Sequence, residues 1–284
     1  MSTTIDQVLA QYEKSKSTAA GSNANSISSE ERLKKYFTTL LPKGQHSGER
    51  RIRILPTTDG TSPFKEVYFH EIQVDGKWMK IYDPKQDGEK SPLNEVYQAL
   101  METGLESDRT LARTYKARKF FIVKVIDRDN EQDGPKFWRV KHNYKNEGPI
   151  DKIFPLFKLK GDITDVQTGR DLIISLSLNK APNGREYTTI SSVMYDDATP
   201  LHTNPETLNE WVNHPDQWSD VYSKKSIEYL ELIAGGHTPK WNSELKKFVS
   251  GSEESDVQFS SSNVTAPIHE DPQTNAQVDD DLPF

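Results

Sequence analysis

Basic and aromatic side chains alternate with aliphatic ones along three short segments of this chain, and that spacing has a chemical use. In an extended strand, successive side chains face opposite ways. Along residues 118–126, Lys119, Phe121, Val123 and Val125 share one face, and Arg118, Phe120, Ile122 and Lys124 the other. The first set is mostly apolar and belongs inside. Further on, Trp138 and Val140 oppose Phe137, Arg139 and Lys141; upstream, Ile52 and Ile54 oppose Arg51 and Arg53. Cations spaced in this way track phosphates, and an exposed ring stacks on a base, contributing about 1–3 kcal/mol per base. Bases offer their faces only when unpaired, so the pattern favours single strands over duplex. Tyr68, Trp78, Lys80, Tyr115, Lys116, Tyr144 and Lys145 extend the track. The competing reading is ordinary: a single ring packs in a core or at an edge, and a single Lys or Arg solvates a face.

Other chemistries find little support. There is no Gly-rich phosphate loop. The seven histidines include no pair three or four apart, so no helical metal clasp is expected. With no cysteine, disulfides, thiol catalysis and cysteine-based zinc sites are excluded. No carboxylate cluster suited to two-metal chemistry is recognisable. The expectation is a non-enzyme with no catalytic residue, metal or cofactor.

Charge is unevenly distributed. The 284 residues carry 36 basic and 43 acidic side chains, a net of -7. Eight of the acids and none of the basic residues fall between Phe248 and Phe284, whereas residues 109–160 hold 14 basic and six acidic residues. A basic middle joined to an acidic tail suggests an anionic ligand and an interaction tail. Charge alone fits DNA, RNA, an anionic membrane surface or an acidic protein. Hydrophobic residues make up 33% and mean hydropathy is -0.78, so part of the chain is expected to stay outside any core. No apolar run approaches the length of a membrane span, and the start lacks the order of a signal peptide. A cytoplasmic protein without a membrane partner is expected.

The elements that must position these residues are short. Residues 51–55 alternate as a strand, and 67–72 and 78–82 flank Asp75-Gly76, a hairpin signal. Residues 93–116 read as helical, with Leu93, Val96, Tyr97 and Leu100 at helical spacing. Strands follow at 118–126 and 136–142, and a further hairpin pairs 171–178 with 186–194 around Asn183-Gly184. Helices are expected at 205–213 and 224–234, and a short one carrying Leu33, Tyr36, Phe37 and Leu40. Residues 1–29 read as a flexible arm for self-association, 30–250 as the core, and 251–284 as a disordered acidic tail. The expected architecture is mainly β with accessory helices: an OB-fold-like barrel with a small helical and hairpin subdomain.

Both ends carry candidate contacts. The tail closes with Asp279, Asp280, Asp281, Leu282, Pro283 and Phe284, three acids before an apolar tip, which a basic-rimmed apolar pocket of a partner protein can capture. A plain solubilising tail is the alternative. On the arm, Lys14, Lys16, Ser17 and Thr18 form a basic and hydroxyl cluster able to dock on a neighbouring copy.

The stretches RIRILPTTDGTSPF, VYFHEIQVDGKWMKIY, YKARKFFIVKVIDRD, KFWRVKHNYK and TGRDLIISLSLNKAPNGREY, in that order and spacing, resemble the helix-destabilising single-stranded DNA-binding protein of T-even-type tailed phages. The similarity runs over roughly residues 10–235. It implies an OB-fold core, cooperative self-association along DNA through the arm, and a tail recruiting replication and recombination proteins in the cytoplasm of an infected bacterium. The family's best-known member holds zinc through one His and three Cys. His70 stands where that His falls, but DPKQDGEKSPLNEVYQAL contains no Cys, so a zinc-free variant with a structural or groove role for His70 is implied. The DDDLPF tip is closer to that of bacterial single-stranded DNA-binding proteins. The alternatives are an RNA-binding or annealing protein, a metal-dependent nuclease, and a scaffold binding through its tail alone.

Overall fold

Residues 34–145, 147–181, 184 and 186–251 are described by a computed structural model of the chain. The arm cluster of Lys14, Lys16, Ser17 and Thr18 and the tail tip from Asp279 to Phe284 lie outside the described residues, as does Asn183. Nine strands and five α-helices follow in order among the described residues: β1 (Ser47–Ile54), β2 (Lys65–Val74), β3 (Lys77–Tyr82), α1 (Pro92–Glu102), α2 (Glu106–Tyr115), β4 (Ala117–Asp127), β5 (Pro135–Lys141), α3 (Pro149–Lys160), β6 (Arg170–Lys180), β7 (Glu186–Ala198), α4 (Pro205–Val212), α5 (Ile227–Ala234), β8 (Pro239–Asn242) and β9 (Lys247–Ser250). No helix among them is long and apolar enough to cross a membrane.

Seven strands form one antiparallel sheet in the order β3-β2-β4-β1-β6-β7, with β5 on the other edge of β4. Strand β4 is the hub. Its first half pairs with β2 from Lys65↔Ile122 to His70↔Ala117, its last three residues pair with β1, and β5 runs along Phe120–Ile126. Asp75 and Gly76 both adopt positive φ, 52° and 75°, which suits the two-residue turn joining β2 to β3. The stretch expected to be helical, 93–116, is helical and divides into α1 and α2, where the chain turns at Gly104 with φ 74°.

The expected OB-fold-like barrel is not what the chain forms. The fold is mixed α/β, and its sheets are open. No pairing joins β5 to β7 among the described residues. Residues 37–41, where the short helix carrying Phe37 and Leu40 was expected, are neither helix nor strand and bond to both instead. The Phe37 amide donates to the Phe137 carbonyl (2.9 Å) and the Leu41 amide to Thr188 Oγ1 (3.2 Å). On the β5 edge this segment pairs Phe137, whose carbonyl accepts from Phe37 and whose amide donates to the Lys35 carbonyl (2.7 Å).

Both faces of the central sheet are covered. On one, Ile52, Ile54, Phe121, Val123, Val125, Trp138, Val140, Leu172 and Ile174 pack against Ile150, Ile153 and Leu156 of α3. That is the interior face expected from alternation, and each such side chain contributes about 1.5–3 kcal/mol by leaving water. On the other, Val67, Phe69, Tyr82, Phe120, Ile122 and Phe137 pack under Val221, with Trp218 and Tyr222 beside it. A separate cluster of Ile72, Ile81, Leu93, Tyr229, Leu230 and Ile233 joins the β2–β3 hairpin to α1 and α5.

Arg53 is fully buried in β1. Its guanidinium donates to Asp171 Oδ1 (3.1 Å) and to the carbonyls of Asp165 (3.0 Å) and Thr199 (2.7 Å). Asp171 is held from its other side by Arg128, through bonds of 3.0 and 3.1 Å. Gly169 makes this convergence sterically feasible. A Cβ there would lie 2.4 Å from the Asp165 carbonyl oxygen and 2.7 Å from Arg53 Nη2. Gly169→Ala is therefore expected to cost about 1–3 kcal/mol through overpacking. The urea midpoint reads this out, and an unchanged midpoint would show that the backbone yields freely there.

Candidate nucleic-acid interface

Four residues expected on an exposed groove are buried, and their roles are corrected here. Arg53 belongs to the ion-pair network above, Phe120 and Phe137 pack in the cluster under Val221, and Arg139 is buried beside them. The Arg139 guanidinium sits over the rings of Tyr36, Phe69 and Phe120 at 5.2, 5.7 and 6.0 Å. Lys124 donates to the His214 carbonyl (3.1 Å), and burial pulls its ammonium below the usual lysine range. Tyr222 stacks on Tyr82 with centroids 4.6 Å apart and planes 6° from parallel. Burial pushes the Tyr222 hydroxyl up to about 12. The surface read as a base-stacking face is already stacked, by the protein's own later residues.

The remaining expected residues are scattered. Arg51 is half-exposed and pairs with Asp196 (3.1 Å). It borders a cleft of about 660 Å³ that Arg50, Arg128 and His202 also line. Four acids, Glu49, Asp129, Glu131 and Asp171, share that lining, and Arg128 is held by two of them. Lys141 is paired with Glu71. Trp78 is exposed on β3, near half-buried Lys80, and Tyr68 is half-buried on β2. Tyr115 is half-buried, at the end of α2.

At the open end of the sheet, exposed rings and cations do come together. Tyr144, 61% exposed, meets His142 edge to face at 4.7 Å. His142 meets Phe121 at 6.0 Å, and Phe121 meets Phe154 of α3, also at 6.0 Å. Phe154 is 44% exposed and packs on Phe64 at 5.1 Å. The result is a row of rings exposed at both ends and anchored in the core at its middle. Lys116 Nζ lies 6.0 Å from the Tyr144 centroid, and Lys119 Nζ 5.1 Å from that of Phe121. Lys119 also pairs with Glu66 (3.1 Å). Lys145 follows Tyr144 directly, and Lys158 stands one helical turn beyond Phe154. Lys116, Arg118, Lys145 and Lys158 are bound to no carboxylate among the described residues.

Sequence reasoning found Tyr144, Lys116, Arg118 and Lys145, and missed His142, Phe154 and Lys158. It also placed Lys119 and Phe121 wholly inside. A signal for α3 existed. Ile150, Ile153, Phe154 and Phe157 recur at helical spacing between Gly148 and Gly161, and Asp151 accepts the Gly148 amide at 3.0 Å. Pro155 inside the helix masked it.

His70 is buried, its Nδ1 donating to the Tyr115 carbonyl (2.6 Å) and its Nε2 lying 3.4 Å from Asp83 Oδ1. No group of three or more His, Asp or Glu able to hold a metal ion occurs among the described residues. Burial alone would raise the Asp83 carboxyl, but His70, Ser91 and the Lys85 amide hold it below its ordinary value of 3.8. Its stabilising contribution is therefore present above that value and lost as pH falls through the lower folded value. Asp83→Asn should cost about 1–3 kcal/mol at neutral pH. The difference from the parent should shrink below about pH 4. Urea midpoints between those limits test it, and a constant difference would remove Asp83 from the acid limb.

No protein-family model matches the chain, and no curated protein matches it either. Phe120→Ala is expected to lower stability by about 3–5 kcal/mol, as a core truncation does. A surface ring would give almost no change in the denaturation midpoint, so the same measurement checks the reassignment.

Proposed function

We propose that this protein binds single-stranded DNA without sequence preference, coating and protecting it during phage replication, recombination and repair. The observation that carries the reading is the Tyr144–His142–Phe121–Phe154 row, with lysines at its two exposed ends that meet no carboxylate among the described residues. Exposed rings stack on unpaired bases of any identity, and lysines without carboxylate partners bind phosphate. The order and spacing of the phage-like stretches support the same reading. On it, the arm serves self-association along the strand, the acidic tail recruits replication and recombination proteins, and the setting is the cytoplasm of an infected bacterium. No residue is given a catalytic role, and no cofactor is invoked.

Anisotropy of labelled oligo(dT), titrated with the full chain at low and moderate salt, tests it. Tyr144→Ala should weaken binding by about 1–3 kcal/mol, the value of one stacked base, and Phe154→Ala similarly. Lys116→Ala should reduce the slope of log K against log salt by about 0.7, one phosphate's share on a single strand. Duplex should bind more weakly than oligo(dT). Absence of binding at low salt, or variants indistinguishable from the parent, would sink the proposal. Equal affinity for oligo(U) would move the ligand class to RNA and DNA alike.

A further inference from the structure

Tyr195 of β7 lies beside Lys160, the last residue of α3. Lys152 anchors the helix along β7, donating to the carbonyls of Ile190 (2.9 Å) and Ser191 (3.0 Å). Two turns later, Lys160 Nζ lies 4.6 Å from the Tyr195 centroid, and the Arg170 guanidinium lies 5.6 Å from it. The ring is 37% exposed. Neither cation meets a carboxylate among the described residues. Arg170 donates to the Asp196 carbonyl (2.9 Å), while the Asp196 carboxylate is engaged by Arg51. Two cations without a carboxylate beside them make a positive spot that attracts a phosphate. Between Phe154 and Lys160, a rise of about 9 Å along the axis, α3 turns Pro155, Lys158 and Leu159 outward.

We propose that Tyr195, with Lys160 and Arg170, is a second stacking station for the same strand, which crosses the outer surface of α3 after leaving Phe154. Apolar Pro155 and Leu159 give bases a dry surface on the way, and Lys158 and Lys160 hold phosphates at either side. The station rests on the single-strand reading above and lengthens its footprint. A short strand occupies the exposed ends of the row, Tyr144 and Phe154, first; only a longer one reaches Tyr195.

Anisotropy with the full chain and oligo(dT) of about 4 and about 16 nucleotides separates the two ideas. Tyr195→Ala and Lys160→Glu should each weaken the long oligonucleotide, by about 5- to 150-fold for the lost ring, and leave the short one within about twofold of the parent. Tyr144→Ala, in contrast, should weaken both lengths. Lys160 is exposed, so its reversal tests the station without disturbing the core. The second station is overturned if Tyr195→Ala and Lys160→Glu match the parent at both lengths or weaken both alike. A parent that binds neither oligonucleotide, or a Tyr144→Ala variant equal to it, would instead bring down the single-strand reading and the station with it.

Discussion

Strand β4 has neighbours on both edges and cover on both faces, and most of the molecule follows from that constraint. From Phe120 to Asp127 every residue except Lys124 is buried. A cation in such a strand must either find an internal acceptor or leave at an end. Lys124 takes the first course, through the His214 carbonyl. Lys116, Arg118 and Lys119 take the second, because the strand emerges from cover where α2 hands over to it. The candidate interface lies there for the same reason. It is the end at which the interior face of the sheet runs out into solvent.

The second cover is made by the short segment 214–222, and its chemistry is instructive. Trp218, Val221 and Tyr222 close over Phe69, Phe120 and Phe137, with the Tyr36 hydroxyl donating to the Val221 carbonyl. The Arg139 guanidinium lies there against the ring faces of Tyr36 and Phe69. Parallel rings, edge-on rings and a guanidinium over aromatic faces are the contacts a base would make. They are satisfied internally, so the face that looks most like a ligand surface in the sequence is the one least free to act as one.

How far the sequence could be read depended on the range of the interaction. Asp75-Gly76 specified its hairpin because the turn geometry is local. The interior set Ile52, Ile54, Phe121, Val123, Trp138 and Val140 was legible because period two records which face a residue takes. Period two does not record depth. Phe120 and Phe137 were assigned to solvent because nothing local announces that residues 214–222, some eighty positions later, return to cover them. Closure of the sheet was equally non-local, since it turned on whether β5 and β7, far apart in sequence, would pair. At the site, Tyr144, Lys116 and Lys145 were visible as residue types, whereas Phe154 needed a helix that its internal proline concealed.

The tryptophans are placed in a way that matters for optical work. Trp138 and Trp211 are buried in two different clusters, Trp218 lies against Tyr222, and Trp78 and Trp241 sit at the surface on β3 and β8. None belongs to the row from Tyr144 to Phe154. The intrinsic emission of the protein is thus a gauge of its own packing, with Trp218 reporting whether the 214–222 cover is seated. A ligand confined to the row meets tyrosine, histidine and phenylalanine, so any change in indole emission comes from Trp78 or Trp241 at the surface or from movement of the cover.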